Sequence, residues 1–169
     1  IEGVMGYYDG LGLTSTRAST FELAQKTESP VILVVNARGA ALSVLAAIQG
    51  FLQFRPESGI QGVILNGCTA MSYGALAAEL ERQYPVKACG YLPRLPDCAL
   101  ESRHLGLVTA QEVSDLKEKM QRLARAAEQT LDFDRADGNC KKRSSPFLRP
   151  AGASKARSAR AHRRCAGQG

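Results

Sequence analysis

The chain has 169 residues and a mass of 18.1 kDa, with 44% hydrophobic and 22% charged residues. This is the composition of a chain that buries a core, and it excludes a wholly disordered protein. No uninterrupted apolar run is longer than that at residues 31–35, which is far shorter than the roughly 18–20 residues that a membrane-spanning helix needs. The N-terminus lacks the cationic and then apolar plan of a signal peptide. Five cysteines without a CxxC pair signal neither a zinc site nor a disulfide framework. We therefore expect a cytoplasmic protein with no membrane partner.

The charge is distributed unevenly along the chain. Residues 135–169 carry ten Lys or Arg and one acid, a net charge of +9, whereas residues 1–134 carry 12 bases and 15 acids, a net charge of −3. The C-terminal part is rich in Ala, Arg, Ser and Gly and poor in large apolar residues, so burial cannot offset its ordering entropy. We predict a disordered basic tail over residues 135–169, and its abrupt change of composition suggests the product of a shifted reading frame.

In chain order, residues 1–6 read as the end of an apolar strand that passes into a glycine-rich loop. Ser19 and Glu22 form a capping-box pattern, which predicts a helix over residues 19–26. The run at residues 30–35 is continuously apolar and mostly β-branched, which predicts a strand buried on both faces.

The rest of the body alternates in the same way. Helical spacing predicts helices over residues 40–54, 73–83 and 109–131, and apolar runs predict strands over 60–65 and 86–91. The predicted apolar stripes of the first and last of these helices are Leu42, Leu45, Ala46, Gln49 and Leu52, and Val113, Leu116, Met120, Leu123 and Ala127. Strands and helices that alternate with short connections predict an α/β fold in three layers around a parallel sheet.

In such a sheet, chemistry belongs at the carboxyl ends of the strands, which here are residues 2–9, 36–39, 66–69 and 93–97. Glu2 and Asp9 are separated by a loop that contains Gly3, Gly6 and Gly10, where the backbone can closely approach a phosphate or a metal. Carboxylates at a strand end suit Mg²⁺, a hard ion that takes oxygen ligands. A plain turn with surface acids is the alternative that the spacing leaves open.

Several strings together carry a wider resemblance. They are EGVMGYYDG at residues 2–10, PVILVV at 30–35, GVILN at 62–66, GYLP at 90–93 and ESRHLGLV at 101–108. In this order and separation, over residues 1–134, the sequence resembles the cobyrinic acid a,c-diamide synthases. The resemblance implies a P-loop NTPase or dethiobiotin synthetase-like fold and the amidation of two corrinoid side-chain carboxylates, with ATP, Mg²⁺ and glutamine-derived ammonia.

The resemblance also implies roles for individual residues. Glu2 matches a Mg²⁺ ligand at the γ-phosphate, and Asp9 matches an acid of the phosphoryl-transfer centre. Asn66 matches a residue that reads the adenine edge, although a side chain that caps the following loop is the alternative. The segment that packs against the base corresponds to Leu92, Pro93 and Arg94.

Three further residues are expected to contact the corrinoid substrate: Tyr8, Arg103 and His104. Arg103 could meet a phosphate or an acidic side chain of the corrinoid. A lone histidine is more often structural than catalytic, so a structural His104 stays open beside the substrate role.

The sequence also departs from the family pattern. No GxxxxGK[ST] phosphate loop is present, and nothing after residue 134 resembles the glutaminase domain that supplies ammonia. Asn36 and Gly67 stand where many relatives have Asp and Arg. We therefore expect residues 1–134 to be part of an ATP-binding synthetase domain that is inactive alone, with the glutaminase domain as a partner and a homodimer as a further association.

Two other functions remain open at this point. One is a different synthetase of the same fold, such as a dethiobiotin synthetase. The other is a non-catalytic module that binds nucleic acid through its basic tail. The tail contains only one aromatic residue, Phe147, and no spaced repeat, so we do not expect nucleic acid as a partner.

Overall fold

The computed structural model describes residues 1–3, 5–99, 102–103, 106–107 and 115–140. Helices and strands alternate along most of this range, as the sequence predicted. The helices are α1 (Thr20–Thr27), α2 (Leu42–Gln53), α3 (Ala70–Gln83), α4 (Leu116–Thr130) and α5 (Phe133–Cys140). The strands are β1 (Val31–Asn36), β2 (Ile60–Asn66), β3 (Lys87–Leu92), β4 (Ser102–Arg103) and β5 (Gly106–Leu107), and a short 3-10 helix spans Pro96–Cys98.

The first helix begins where the capping pattern placed it. Ser19 accepts a hydrogen bond from the Glu22 backbone N–H at 3.2 Å and donates one to the Thr16 carbonyl at 2.6 Å. The Glu22 carboxylate accepts from the backbone N–H of Ala18, one residue before the cap. Together these bonds satisfy orphan donors at the helix start.

The three long strands form one parallel sheet in the order β1-β2-β3, which confirms the α/β prediction and is compatible with a P-loop NTPase-like fold. The prediction that β1 is buried on both faces is wrong for the described residues. Leu33 is buried, but Val34 is 59% exposed. Among the described strands β1 lies at the edge of the sheet, and on the face that carries Val34 the neighbouring Ile32 is only half-buried.

Helices α2 and α3 pack against the sheet and against each other. The largest fully buried side chains are Ile48, Leu65, Leu80, Val63 and Cys89. The predicted stripe of α2 is displaced: Leu45 is buried as expected, but Leu42 is exposed, and Val44 and Ile48 complete the buried face. A run that is apolar on most sides does not reveal which face meets the sheet.

The C-terminal helices test two predictions. Helix α4 has a half-buried apolar face, on which Met120 is 48% exposed, and the residues predicted to start it, 109–114, lie outside the described residues. Helix α5 crosses the boundary that the composition placed at residue 135, so the prediction of disorder is wrong for residues 135–140. The remainder of the predicted tail lies outside the described residues.

The junction between α4 and α5 is tied to the sheet through both backbone and side chains. Leu131 forms an antiparallel bridge with Gly90 of β3, and the Asp132 N–H donates to the Cys89 carbonyl at 3.0 Å. Arg135, the first basic residue of the predicted tail, pairs with Glu81 of α3 at 2.6 Å. These contacts hold the start of α5 against the body.

The N-terminal segment is a loop, and the predicted strand at residues 1–6 is not formed at the described positions there. Aromatic contacts anchor this loop. Tyr7 is buried and donates a hydrogen bond to the Ser58 carbonyl, while its ring packs edge-on against Phe21 at 5.8 Å between centroids. Burial raises the pKa of Tyr7 to about 12, with a smaller contribution from Tyr8. The loop that carries the candidate acids is therefore fixed to the rest of the fold.

Within the described part of the chain, none of the helices is both long enough and apolar enough to cross a membrane.

Candidate functional site

Glu2 and Asp9 line the same cavity, as the sequence predicted for a loop of this spacing. This acidic cavity has a volume of about 480 Å³, and its charged lining residues are Glu2, Asp9, Glu22 and Lys26. The Glu22 carboxylate pairs with Lys26 at 2.9 Å. The hydrogen bond from the Ala18 N–H and the pairing with Lys26 both lower the pKa of Glu22. Glu2 and Asp9 are exposed and form no side-chain hydrogen bond or ion pair with another described residue, so their oxygens are available to a ligand.

The glycines of this loop lie close to other protein atoms. A β-carbon at Gly3 would collide with the Thr20 hydroxyl, one at Gly6 with the Asp9 carboxylate, and one at Gly10 with the Arg17 carbonyl. A backbone turn, with the Asp9 N–H donating to the Gly6 carbonyl at 3.0 Å, brings Asp9 over Gly6. In the folded chain these glycines thus closely approach protein atoms, among them the Asp9 carboxylate, and their approach to a phosphate or a metal stays a prediction.

Tyr8, predicted to contact substrate, lies elsewhere. Its hydroxyl donates to the Phe51 carbonyl at 2.6 Å, and its ring is stacked 6.0 Å from that of Phe51 and tilted 5.1 Å from that of Phe54. Tyr8 does not line the acidic cavity. Its described contacts are those of a residue that anchors the loop, and its contact with substrate stays a prediction.

The predicted nucleotide residues Asn66, Leu92, Pro93 and Arg94 all line a second cavity, of about 360 Å³. We call it the strand-end cavity because it lies where β1, β2 and β3 end. Its other lining residues are Asn36, Arg38, Gly67, Leu95, Cys98, Ala99 and Leu123. Helix α4 and the short 3-10 helix thus each contribute a lining residue, Leu123 and Cys98. No described residue lines both this cavity and the acidic one.

Backbone hydrogen bonds hold the three strand ends together. Asn36, Asn66 and Leu92 are partners in register at the last position of each strand, so the side chains of Asn36 and Asn66 leave the same face of neighbouring strands. The Ala37 N–H donates to the Asn66 carbonyl at 2.7 Å, and the Gly67 N–H donates to the Leu92 carbonyl at 2.8 Å. The three strand ends that border the cavity are therefore linked to one another through their backbone.

The sequence analysis did not single out Arg38, although it marked residues 36–39 as a place for chemistry. Arg38 follows β1 by two residues, and its N–H donates to the Asn36 side-chain oxygen at 3.1 Å. Gly67, at φ +73°, passes so close that a β-carbon there would lie 3.3 Å from the Arg38 β-carbon. The sequence did contain a signal for Arg38: an arginine that closely follows a predicted strand and immediately precedes a glycine, Gly39.

The structure does not describe the side chains of the last two predicted residues, Arg103 and His104. Arg103 lies in β4, which pairs with β5 in a small antiparallel hairpin, and only its backbone is described. His104 lies outside the described residues. The described part of the chain contains no group of three or more His, Cys, Asp or Glu side chains that could hold a metal ion.

The fold and the two cavities define an α/β protein with a parallel sheet, polar residues at its strand ends and a second cavity lined by two acids that have no partner among the described residues. Comparison with curated proteins is more specific. The chain is 40% identical over 136 residues to the cobyrinate a,c-diamide synthase of Listeria monocytogenes serotype 4b (strain F2365). It is 36% identical over 136 residues to that of Streptococcus sanguinis and 38% identical over 135 residues to that of Gloeobacter violaceus.

These matches cover 80% of this chain and 30% of each relative, so the chain spans about a third of the length of the curated proteins it matches. The resemblance to the synthases that the motifs indicated is thereby confirmed. No protein-family model matches the chain. No solved structure matches it either.

Proposed function

We propose that this chain forms part of the ATP-dependent amidating domain of a cobyrinate a,c-diamide synthase. The observation that carries the proposal is the 40% identity to the Listeria synthase over 136 residues. The common lining of one cavity by Asn66, Leu92, Pro93 and Arg94 supports it, because those positions were assigned to nucleotide binding from the sequence.

The reaction converts a side-chain carboxylate of the corrinoid into an amide. A carboxylate is a poor acyl donor, because its leaving group would be oxide. In the proposed sequence a carboxylate oxygen attacks the γ-phosphorus of ATP and releases ADP. Ammonia then attacks the acyl carbon of the acyl phosphate and releases inorganic phosphate. The protein contributes position and charge neutralisation to both steps.

The acidic cavity would serve the phosphoryl-transfer end of this reaction. Its two unpartnered carboxylates, Glu2 and Asp9, fit Mg²⁺, because this ion is commonly held by one or two carboxylates together with substrate phosphates. Mg²⁺, when bound, would neutralise charge on the phosphate oxygens. Glu2 would hold the metal, and Asp9, supported against Gly6, would belong to the phosphoryl-transfer centre beside the reacting carboxylate.

The strand-end cavity would bind the adenine base of the nucleotide. Asn66 presents an exposed amide that can donate to and accept from a purine edge. Leu92 and Pro93, both half-buried, offer an apolar surface to the base. The base and the γ-phosphate lie at opposite ends of ATP, so the proposal assigns them to two separate cavities.

A chimeric enzyme tests the proposal. The 136-residue stretch of the Listeria synthase is replaced by the matching residues of this chain, and the product formed from cobyrinic acid, ATP, Mg²⁺ and glutamine is followed by mass spectrometry. We expect formation of the diamide. We also expect Glu2→Gln and Asp9→Asn each to lower its rate by at least about 100-fold.

The matched control is Glu128→Gln, which removes an exposed acid on α4 and should leave the rate unchanged. A folded chimera that hydrolyses glutamine but forms no amide would contradict the proposal. Equal rates for the Asp9→Asn and Glu128→Gln variants would remove the role of Asp9.

A further inference from the structure

The strand-end cavity differs from the other cavities in its charge. Its charged lining residues are Arg38 and Arg94, with no acid. The acidic cavity has three acids and one lysine, and the cavity beside α5 combines Glu81, Asp132 and Asp134 with Arg135. Of these three cavities, the strand-end cavity is therefore the one whose charged lining residues are all positive.

The two guanidinium groups are also uncommitted. Arg82, Arg122 and Arg135 each pair with a carboxylate. Arg38 and Arg94 have no acidic partner within 4 Å among the residues that the structure describes, and both side chains are exposed. A guanidinium presents five N–H donors in a fixed fork that matches the oxygens of a phosphate or carboxylate.

Two amides add to this donor set. Asn36 uses its side-chain oxygen to accept the Arg38 N–H, which leaves its NH₂ group to donate elsewhere. The Asn66 side chain forms no hydrogen bond with any other described residue, and it stands beside Asn36 in register. The strand ends are cross-linked by backbone hydrogen bonds, so the backbone positions that carry the two amides are fixed relative to one another.

We propose that Arg38 and Arg94, with the NH₂ groups of Asn36 and Asn66, form an oxyanion-binding site in the strand-end cavity. Arg38 is a ligand-binding residue that the resemblance did not assign. The oxyanion is either the α- or β-phosphate of the nucleotide, which lies between the base in this cavity and the γ-phosphate at the acidic cavity, or a carboxylate of the corrinoid acid. Only this choice of ligand rests on the proposed function; the donor set stands independently of it.

Calorimetric titration of the 169-residue chain tests the site with four probes: inorganic pyrophosphate, ADP, adenosine and cobyrinic acid. Arg38→Gln and Arg94→Gln should each weaken binding of the anionic probe about tenfold, as expected for loss of a charge-assisted hydrogen bond at an exposed site. Adenosine binding should change less than about twofold, because adenosine carries no anionic group. Arg55→Gln is the matched control, since Arg55 lies over the Phe54 ring outside the cavity.

Asn36→Asp is the sharpest variant. It keeps the oxygen that accepts the Arg38 N–H, but it places a negative charge in the cavity and removes the NH₂ donor. We expect it to weaken pyrophosphate binding at least as much as Arg38→Gln. Circular dichroism checks that each variant keeps the helical content of the parent chain.

The outcomes separate the two proposals. Losses confined to ADP and pyrophosphate identify the phosphate as the ligand, and losses confined to cobyrinic acid identify the carboxylate. Pyrophosphate binding that depends on Arg38, without binding of ADP or cobyrinic acid, supports the oxyanion site and counts against the proposed function. The site is overturned if the parent chain binds no anionic probe, or if Arg55→Gln weakens binding as much as Arg38→Gln.

Discussion

The Asp9 carboxylate occupies the space beside the Gly6 α-carbon into which a side-chain carbon at position 6 would project. The Asp9 N–H also donates to the Gly6 carbonyl at 3.0 Å, so the turn and the carboxylate depend on the same glycine. Gly6 is exposed, and the atom in the way is the end of a short side chain that can rotate. A substitution at position 6 would therefore move the acid more than it would disturb the fold.

Gly6→Ala should accordingly lower amidation by the chimeric enzyme by at least about tenfold and change the free energy of unfolding by less than about 1 kcal/mol. Gly10→Ala is the control for fold damage, because its β-carbon would meet the backbone carbonyl of Arg17, which cannot rotate away, and it should destabilise more. If the effect of Gly6→Ala acts through Asp9, adding it to Asp9→Asn should cost no further activity. Additive losses would show a separate role for Gly6.

The cap of α1 gives a stability prediction. Ser19 is 3% exposed and makes two hydrogen bonds, to the Glu22 N–H and the Thr16 carbonyl. Ser19→Ala should lower the free energy of unfolding by about 1–2 kcal/mol, because both groups lose a partner near the helix start. Urea denaturation measures this. Ser43→Ala, at an exposed position of α2, should not lower stability.

Two exposed glycines in helix interiors should be replaceable with a gain. Gly50 in α2 and Gly74 in α3 both have open space where the β-carbon of an alanine would lie, with no neighbouring atom within 4 Å. Gly50→Ala and Gly74→Ala should each raise the free energy of unfolding by about 0.5–1 kcal/mol through helix propensity. Gly90→Ala should do the opposite, because Gly90 has φ +111° and lies against the Thr130 carbonyl. A loss of stability in all three variants would contradict this account of the two helices.

Tyr7 predicts how stability depends on alkaline pH. An unfolded tyrosine ionises near pH 10, whereas burial raises the pKa of Tyr7 to about 12 in the folded chain. The neutral form is favoured by folding, so its stabilising contribution is complete below pH 10 and is lost as the pH rises toward 12.

Tyr7→Phe should therefore flatten the fall of unfolding free energy between pH 10 and 12, measured by urea denaturation across that range. Tyr84→Phe deletes a hydroxyl from an exposed hydrogen bond to Gln49 and serves as the matched control. An unchanged alkaline slope in Tyr7→Phe would show that another group governs it.

The exposed face of β1 gives the last prediction. Val34→Thr should change stability by less than about 0.5 kcal/mol, because this side chain is 59% exposed. Val63→Thr in β2 should cost about 1–3 kcal/mol, because Val63 is fully buried and a hydroxyl there would lose its water. Equal costs at the two positions would mean that something covers β1.

The sequence by itself determined the parts of this protein that depend on local physics. Capping chemistry placed the start of α1 at Ser19, and uninterrupted apolar runs identified β1, β2 and β3 to within one or two residues. The strand-end rule and the motif resemblance together selected Asn66, Leu92, Pro93 and Arg94, which line one cavity.

Tertiary structure decided the rest, because it depends on which surfaces meet. Composition could not show that Arg135 pairs with Glu81, so it placed the start of disorder inside a helix. A continuous apolar run could not show that Val34 lacks a covering layer. Arg38 and Arg94 are far apart in the sequence, but parallel strands that end at the same level bring both to one cavity. The positive charge of the strand-end cavity therefore depends on the tertiary structure.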